Sequence, residues 1–109
     1  MIEPNNVPIK IRAVNDPKTG FTEVRILMTH PMDTGRLNNA AGQLISAWHI
    51  TKVSIKLGNT VIMSAQFGSA VSKNPYLYFK IKGGIKNDLL TVSWTDNHNK
   101  TRQDTAKII

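Results

Sequence analysis

The chain has 109 residues, a formal net charge of +7, 40% hydrophobic residues and no cysteine. Without cysteine there is no disulfide, no thiolate metal site and no cysteine nucleophile, and at this length residues 1–109 are expected to form a single domain with one core. No apolar run approaches the roughly 18–20 residues a membrane helix needs, and the composition suits a folded chain rather than a disordered one.

The opening, Met1-Ile2-Glu3-Pro4-Asn5-Asn6, has neither the basic nor the apolar region of a secretory signal, which taken alone points to the cytoplasm. Val7 to Val14 reads as a first strand, with Val7, Ile9, Ile11 and Ala13 on one parity. Asn15 to Gly20 is dense in turn formers, and Phe21 to Met28 returns as a second strand with Val24 and Ile26 opposite Glu23 and Arg25. Pro31 restricts His30 to extended geometry and breaks the strand at Thr29–Gly35. Arg36 to Ser46 shows little periodicity and reads as a long surface loop, of the kind that is functional or an interface.

Ala47 to Leu57 is the third strand, with His49, Thr51, Val53, Ile55 and Leu57 on one parity and Trp48, Ile50 and Lys52 on the other. Gly58-Asn59 is a tight hairpin turn, followed by a fourth strand over Thr60–Phe67 with Val61, Met63 and Ala65 alternating against Ile62, Ser64 and Gln66. Tyr76 to Lys82 is the fifth strand, with Leu77, Phe79 and Ile81 facing one way and Tyr76, Tyr78, Lys80 and Lys82 the other. Gly83-Gly84 turns a corner. Leu90, Val92 and Trp94 then share one parity of a sixth strand, and the buried indole of Trp94 is expected to find a hydrogen-bond partner. Asp96 to Asn99 reverses the chain into Lys100–Lys107, polar on both parities and therefore an edge strand.

Seven strands separated by turn signals, with no helix pattern, give an all-β reading: an immunoglobulin-like, seven-strand antiparallel β-sandwich without a disulfide. If every strand reverses direction, the loops after the second, fourth and sixth strands meet at one end. Within them His30, Met32, Lys73, Asn74, Asp96 and His98 are the candidate partner-docking residues. Pro31, Gly35 and Pro75 read as turn shapers.

The charge is uneven. No acidic residue lies between Asp33 and Asp88, while Arg36, Lys52, Lys56, Lys73, Lys80, Lys82 and Lys86 do. Such a field steers an acidic protein or an anionic ligand, or is a solvated lysine surface. No basic helix and no aromatic ribonucleoprotein pattern support nucleic acid. His30, His49, His98 and the methionines have the donor types for copper(I), but Met28 and Met63 sit in strand patterns as core filling, so no metal or other cofactor is expected. No nucleophile–base spacing or phosphate loop is present, and the chain does not read as an enzyme.

Several segments together resemble the SoxZ family, the Z subunit of the Sox sulfur-carrier complex. They are Leu27-Met28-Thr29-His30-Pro31-Met32-Asp33-Thr34-Gly35, Ala40-Ala41-Gly42, Ser64-Ala65-Gln66-Phe67-Gly68, Val71-Ser72-Lys73-Asn74-Pro75-Tyr76-Leu77, Phe79-Lys80-Ile81-Lys82-Gly83 and Val92-Ser93-Trp94-Thr95-Asp96-Asn97. Asp33 departs from the family's more usual Glu, and Asn87 from a common Gly. The resemblance implies a non-catalytic subunit of a periplasmic heterodimer in thiosulfate and sulfur oxidation. Its partner would be a SoxY-like subunit whose C-terminal cysteine arm carries covalent sulfur intermediates. The pair would make transient contacts with a haem-containing conjugating enzyme, a sulfate-releasing hydrolase and a sulfane dehydrogenase. It also implies export bound to the signal-bearing partner, reversing the cytoplasmic expectation. A β-sandwich binding module for another acidic protein or anionic ligand is the alternative, and nucleic-acid binding comes third.

Overall fold

In the computed structural model, residues 3–68 and 70–109 are described; Met1 and Ile2, part of the stretch read for a signal, and Ser69, in the loop before the fifth strand, lie outside them. Seven strands form: β1 (Lys10–Asn15), β2 (Phe21–Leu27), β3 (Ile50–Leu57), β4 (Thr60–Gln66), β5 (Tyr76–Lys82), β6 (Leu89–Asp96) and β7 (Thr101–Lys107). They make an antiparallel sandwich of a three-stranded sheet, β1-β2-β5, on a four-stranded sheet, β4-β3-β6-β7. This is the immunoglobulin-like architecture expected from the strand pattern.

The period-2 alternation becomes burial almost residue for residue. Val24, Ile26, Val53, Ile55, Leu90, Val92 and Trp94 all lie in the core between the sheets. β5 turns Leu77, Phe79 and Ile81 inward and keeps Tyr76, Tyr78, Lys80 and Lys82 outside. Five details differ from the sequence reading, one being that the third strand begins at Ile50 instead of Ala47. The first strand begins at Lys10 instead of Val7, because Pro4–Asn6 forms a 3-10 turn that the Val7 N–H closes onto the Pro4 carbonyl. In β3 the register shifts between Ile50 and Lys52, so Ile50, assigned to the same parity as Trp48 and Lys52 and opposite Val53 and Ile55, is fully buried like those two. A second shift opposite Ile55 and Lys56 leaves Ile62 without a cross-strand partner, and its side chain packs on the core. The Trp94 indole N–H, expected to be bonded, has no hydrogen-bond partner among the described residues.

One lateral side is tied by backbone and charge. The Asn15 N–H donates to the Ile109 carbonyl and the Ile109 N–H to that of Ala13, both at 2.9 Å. Arg102 grips Asp104 with two bonds of 2.8 Å, and the Ile9 N–H donates to the same carboxylate at 2.8 Å. This explains why β7 reads as polar on both parities: two of its three half-buried inner positions carry a paired charge, and the third is the small Ala106. The Arg102 hydrogen bonds hold the Asp104 carboxyl below its ordinary range against the opposing effect of burial.

The Gly83-Gly84 corner is a site of close approach. At Gly84, φ is +78°, and a Cβ would lie 2.9 Å from the Ile108 side chain and 3.0 Å from Thr22 Oγ1. The buried Thr22 hydroxyl donates to the Gly83 carbonyl at 2.7 Å and the Asn15 amide to that of Gly84 at 2.9 Å, so the corner's carbonyls are satisfied.

Candidate functional site

Antiparallel pairing brings the connections after β2, β4 and β6 to the same end, and one carboxylate joins two of them. Asp96 closes β6 and is 2% exposed. Its Oδ1 accepts the His98 and Lys100 backbone N–H groups, both at 2.9 Å, which shapes the β6–β7 turn. Its Oδ2 accepts the Trp48 indole N–H at 2.8 Å and the His30 Nε2–H at 3.0 Å, so the same side chain holds the long β2–β3 connection.

His30 is fully buried, edge-on to two indoles: its ring centroid lies 5.2 Å from that of Trp94 and 5.6 Å from that of Trp48. The Met32 N–H donates to Nδ1 at 3.1 Å, which fixes the ring proton on Nε2, facing Asp96. The pKa shifts agree with a neutral imidazole beside an anionic carboxylate. Burial lowers the His30 pKa below its ordinary value, although Asp96 pulls it upward. Burial alone would raise Asp96, but hydrogen bonds from His30, the Lys100 and His98 backbone and Trp48 together bring it below the usual carboxylate range. With both ring nitrogens and both carboxylate oxygens engaged, the pair is a clamp between loops. It leaves no nitrogen free to exchange a proton with a bound molecule.

The third connection joins through Asn74. The His30 N–H donates to Asn74 Oδ1 at 3.0 Å and the Asn74 N–H to the His30 carbonyl at 2.9 Å. Asn74 and Met32 both adopt positive φ, +52° and +50°. Met32 is 5% exposed, and its sulfur accepts the Ile50 N–H at 3.3 Å. Gly35, at φ +80°, passes the Ala47 Cβ so closely that an added Cβ would sit 3.1 Å away. There the β2–β3 connection doubles back, with Asp33 and Trp48 exchanging two backbone bonds of 2.7 and 2.9 Å. Between those ends, Asn39 N–H to Gln43 O and Ile45 N–H to Leu37 O, both 2.8 Å, fold a small exposed hairpin with Leu37 and Leu44 in solvent.

The six residues singled out from sequence therefore gather at one end of the sandwich but divide by depth. His30, Met32 and Asp96 are buried and set the loops' shape. Lys73, Asn74 and His98 present side chains to solvent. Lys73 and Asn74 border a cleft of about 350 Å³ shared with Pro4, Thr29, Pro31 and Trp48. Among the described residues Lys73 enters no ion pair. Sequence reasoning missed Trp48, which bonds Asp96, packs on His30 and stacks on the His98 ring at 4.7 Å with an interplanar angle of 7°. Its only signal was an indole standing beside a histidine just ahead of a strand. No group of three or more His, Cys, Asp or Glu side chains that could hold a metal ion occurs among the described residues.

With this geometry in view, the comparisons are specific at the family level. The family model for sulphur oxidation protein SoxZ matches residues 10–107. No curated protein sequence matches. Among solved structures, a hypothetical protein from Pyrococcus horikoshii OT3 is similar at a TM-score of 0.63 and 12% identity, covering 93% of this chain and 87% of that one. A superoxide reductase (neelaredoxin) from Ignicoccus hospitalis is similar at a TM-score of 0.60 and 15% identity, covering 94% of this chain and 79% of that one. A reduced superoxide reductase (neelaredoxin) variant from Archaeoglobus fulgidus reaches a TM-score of 0.53 at 18% identity, covering 93% and 85%. At such identities the likeness shows a shared sandwich fold and nothing about chemistry.

Proposed function

We propose, from the premise that this chain belongs to the SoxZ family of sulphur oxidation proteins and so serves the Sox sulfur-oxidation system, that it is the non-catalytic half of a sulfur-carrier heterodimer. The partner in this reading is a SoxY-like subunit whose cysteine arm holds the covalent sulfur intermediates, and the pair works in the periplasm after joint export. The observation that carries the reading is the family match across all seven strands, from the start of β1 to the end of β7. Two properties of the chain support it. There is no cysteine, hence no soft thiolate on which a persulfide or thiosulfonate could form. The loop end is braced by the buried His30–Asp96–Trp48 cluster, as a rigid presenting surface requires. No helix among the described residues is long and apolar enough to cross a membrane.

In the same reading, the end carrying Lys73, Asn74 and His98 is where the haem-containing conjugating enzyme, the sulfate-releasing hydrolase and the sulfane dehydrogenase are met in turn. Lys73 supplies positive charge toward an anionic sulfur adduct or an acidic enzyme surface. Intact-mass analysis of the assembled pair during thiosulfate turnover tests the division of labour. This chain should stay at its sequence mass while the partner gains sulfur. A reproducible sulfur-containing increment on this chain would overturn it.

A further inference from the structure

The two outer faces of the sandwich differ in kind. On the four-stranded sheet the positions opposite the core are mostly small and polar, Ser54, Thr91, Ser93 and Thr95, flanked by Lys52 and Lys56, with Val61 beside Lys56 the exposed apolar exception. That is an ordinary solvent face. The outer face of β1-β2-β5 is built from rows set by the strand register: Lys10 beside Leu27 beside Tyr76, then Arg12 beside Arg25 beside Tyr78. A third row places Val14 beside Glu23 beside Lys80, and Phe21 ends the sheet beside Lys82.

Arg12 and Arg25 are directly opposed across neighbouring strands, a separation of about 5 Å between Cβ atoms, where like charges destabilise a sheet. Neither arginine enters an ion pair among the described residues. The one carboxylate on the face, Glu23, is engaged elsewhere: it accepts the Tyr78 hydroxyl at 2.6 Å and lies 4.0 Å from Lys80. Arg25 instead stacks over the Tyr78 ring, 5.2 Å from its centroid. Tyr78 beside the arginine pair, Tyr76 in the next row and Phe21 at the end of the sheet are 47%, 56% and 41% exposed. Depressions of about 320 and 220 Å³ lie along Arg12 and Arg25, the first also lined by Val14 and Glu23 and the second floored by Ile11 and Leu27. Arginine and tyrosine around an apolar centre is the composition of protein-interface hot spots, and two unpaired guanidinium groups side by side form a receptor for carboxylates.

We propose that the outer face of β1-β2-β5 is the docking surface for an acidic face of a folded protein, with carboxylates seated between Arg12 and Arg25 and apolar groups against Tyr76 and Leu27. Resting on the heterodimer reading above, that protein is the cysteine-bearing partner subunit. A polyanion such as nucleic acid fits less well. Its phosphates would have to run past Glu23, and the cations are interrupted by apolar side chains instead of forming a continuous track.

The test measures the affinity of this chain for the co-expressed partner subunit by calorimetry, with circular dichroism confirming that each variant is folded. Arg12→Glu with Arg25→Glu should weaken binding at least about 100-fold. Lys52→Glu with Lys56→Glu, the same change of charge on the other sheet, should stay within about threefold. Arg12→Gln with Arg25→Gln, which removes charge without reversing it, should weaken binding at least about tenfold. Equal losses from both reversals would show a diffuse field and overturn the assignment, as would normal affinity in either arginine variant. Association of the wild-type pair with no arginine effect would sink only this face, whereas no association of the wild-type pair would remove the heterodimer reading and this proposal together. A 20-mer oligonucleotide that binds the wild-type chain as tightly as the partner does, and is lost with the arginines, would also overturn it.

Discussion

Replacing Asp96 with Asn keeps the side chain's size and removes what the loop end depends on. The native carboxylate receives four N–H donors, two on each oxygen, at 2.8 to 3.0 Å. An amide has only one accepting oxygen, so its NH₂ must face either the Trp48 and His30 donors or the two turn amides. His30 cannot relieve the conflict by moving its proton to Nδ1, because that nitrogen already accepts the Met32 N–H. Two buried donors are left facing a donor, each costing about 1–3 kcal/mol, and the remaining bonds lose their charge assistance. The expected loss is about 3–5 kcal/mol, in line with breaking other buried charge networks, or roughly 12–20 °C in midpoint at about 4 °C per kcal/mol for a domain of this size. Urea unfolding followed by Trp fluorescence measures it, and the midpoint should fall while the slope stays constant. A loss below about 1 kcal/mol would refute the view that this carboxylate organises the loops.

The remaining predictions concern acid stability and two residues of the loop end, buried Met32 and exposed Lys73. Folding lowers the pKa of His30, so the unfolded chain takes up its proton first. His30's contribution is therefore fully present above about pH 6.5 and is lost as pH falls from there toward the lower native value. Asp96, also lowered, adds a further loss below about pH 3.9. Thermal midpoints taken from pH 7.5 to 4 should fall steadily, and a rise on acidification between pH 6.5 and 5 would count against the neutral His30. Met32→Ala should cost about 2–5 kcal/mol in denaturant unfolding, because Met32 is core and its sulfur accepts a backbone N–H. Lys73→Glu, on an exposed side chain, should change stability by less than about 0.5 kcal/mol yet slow thiosulfate-dependent turnover; unchanged turnover would move the encounter surface elsewhere.

All seven strands were legible because each carries its own alternation, and a strand's two faces are a local property. The partition into three and four strands was not, since nothing in β4 or β5 declares which neighbour it will pair with. Local reading failed where a single inserted residue flips parity, as at Ile50. It failed again where polarity is satisfied at a distance, as with Arg102 and Asp104 on the inner side of an edge. The loop end was legible as a place but not as a mechanism. Proline, glycine and Asx-turn residues marked three loops, and antiparallel topology placed them together. That Asp96 bonds Trp48 and His30 across 48 and 66 positions follows from packing, which spacing does not encode. Burial also separated the candidate residues into those that brace and those that face solvent. Sequence treats His30 and His98 alike, whereas one is sealed under two indoles and the other lies open on the surface of Trp48.

The central claim is that this chain works as half of a lasting pair, and such a partner should bury roughly 1,200–2,000 Å² or more. Size-exclusion chromatography with light scattering, run on this chain and its SoxY-like partner co-expressed and diluted to micromolar concentration, measures this directly. A single peak holding both chains in equal number is the predicted result; two peaks eluting independently at the masses of the separate chains would contradict it.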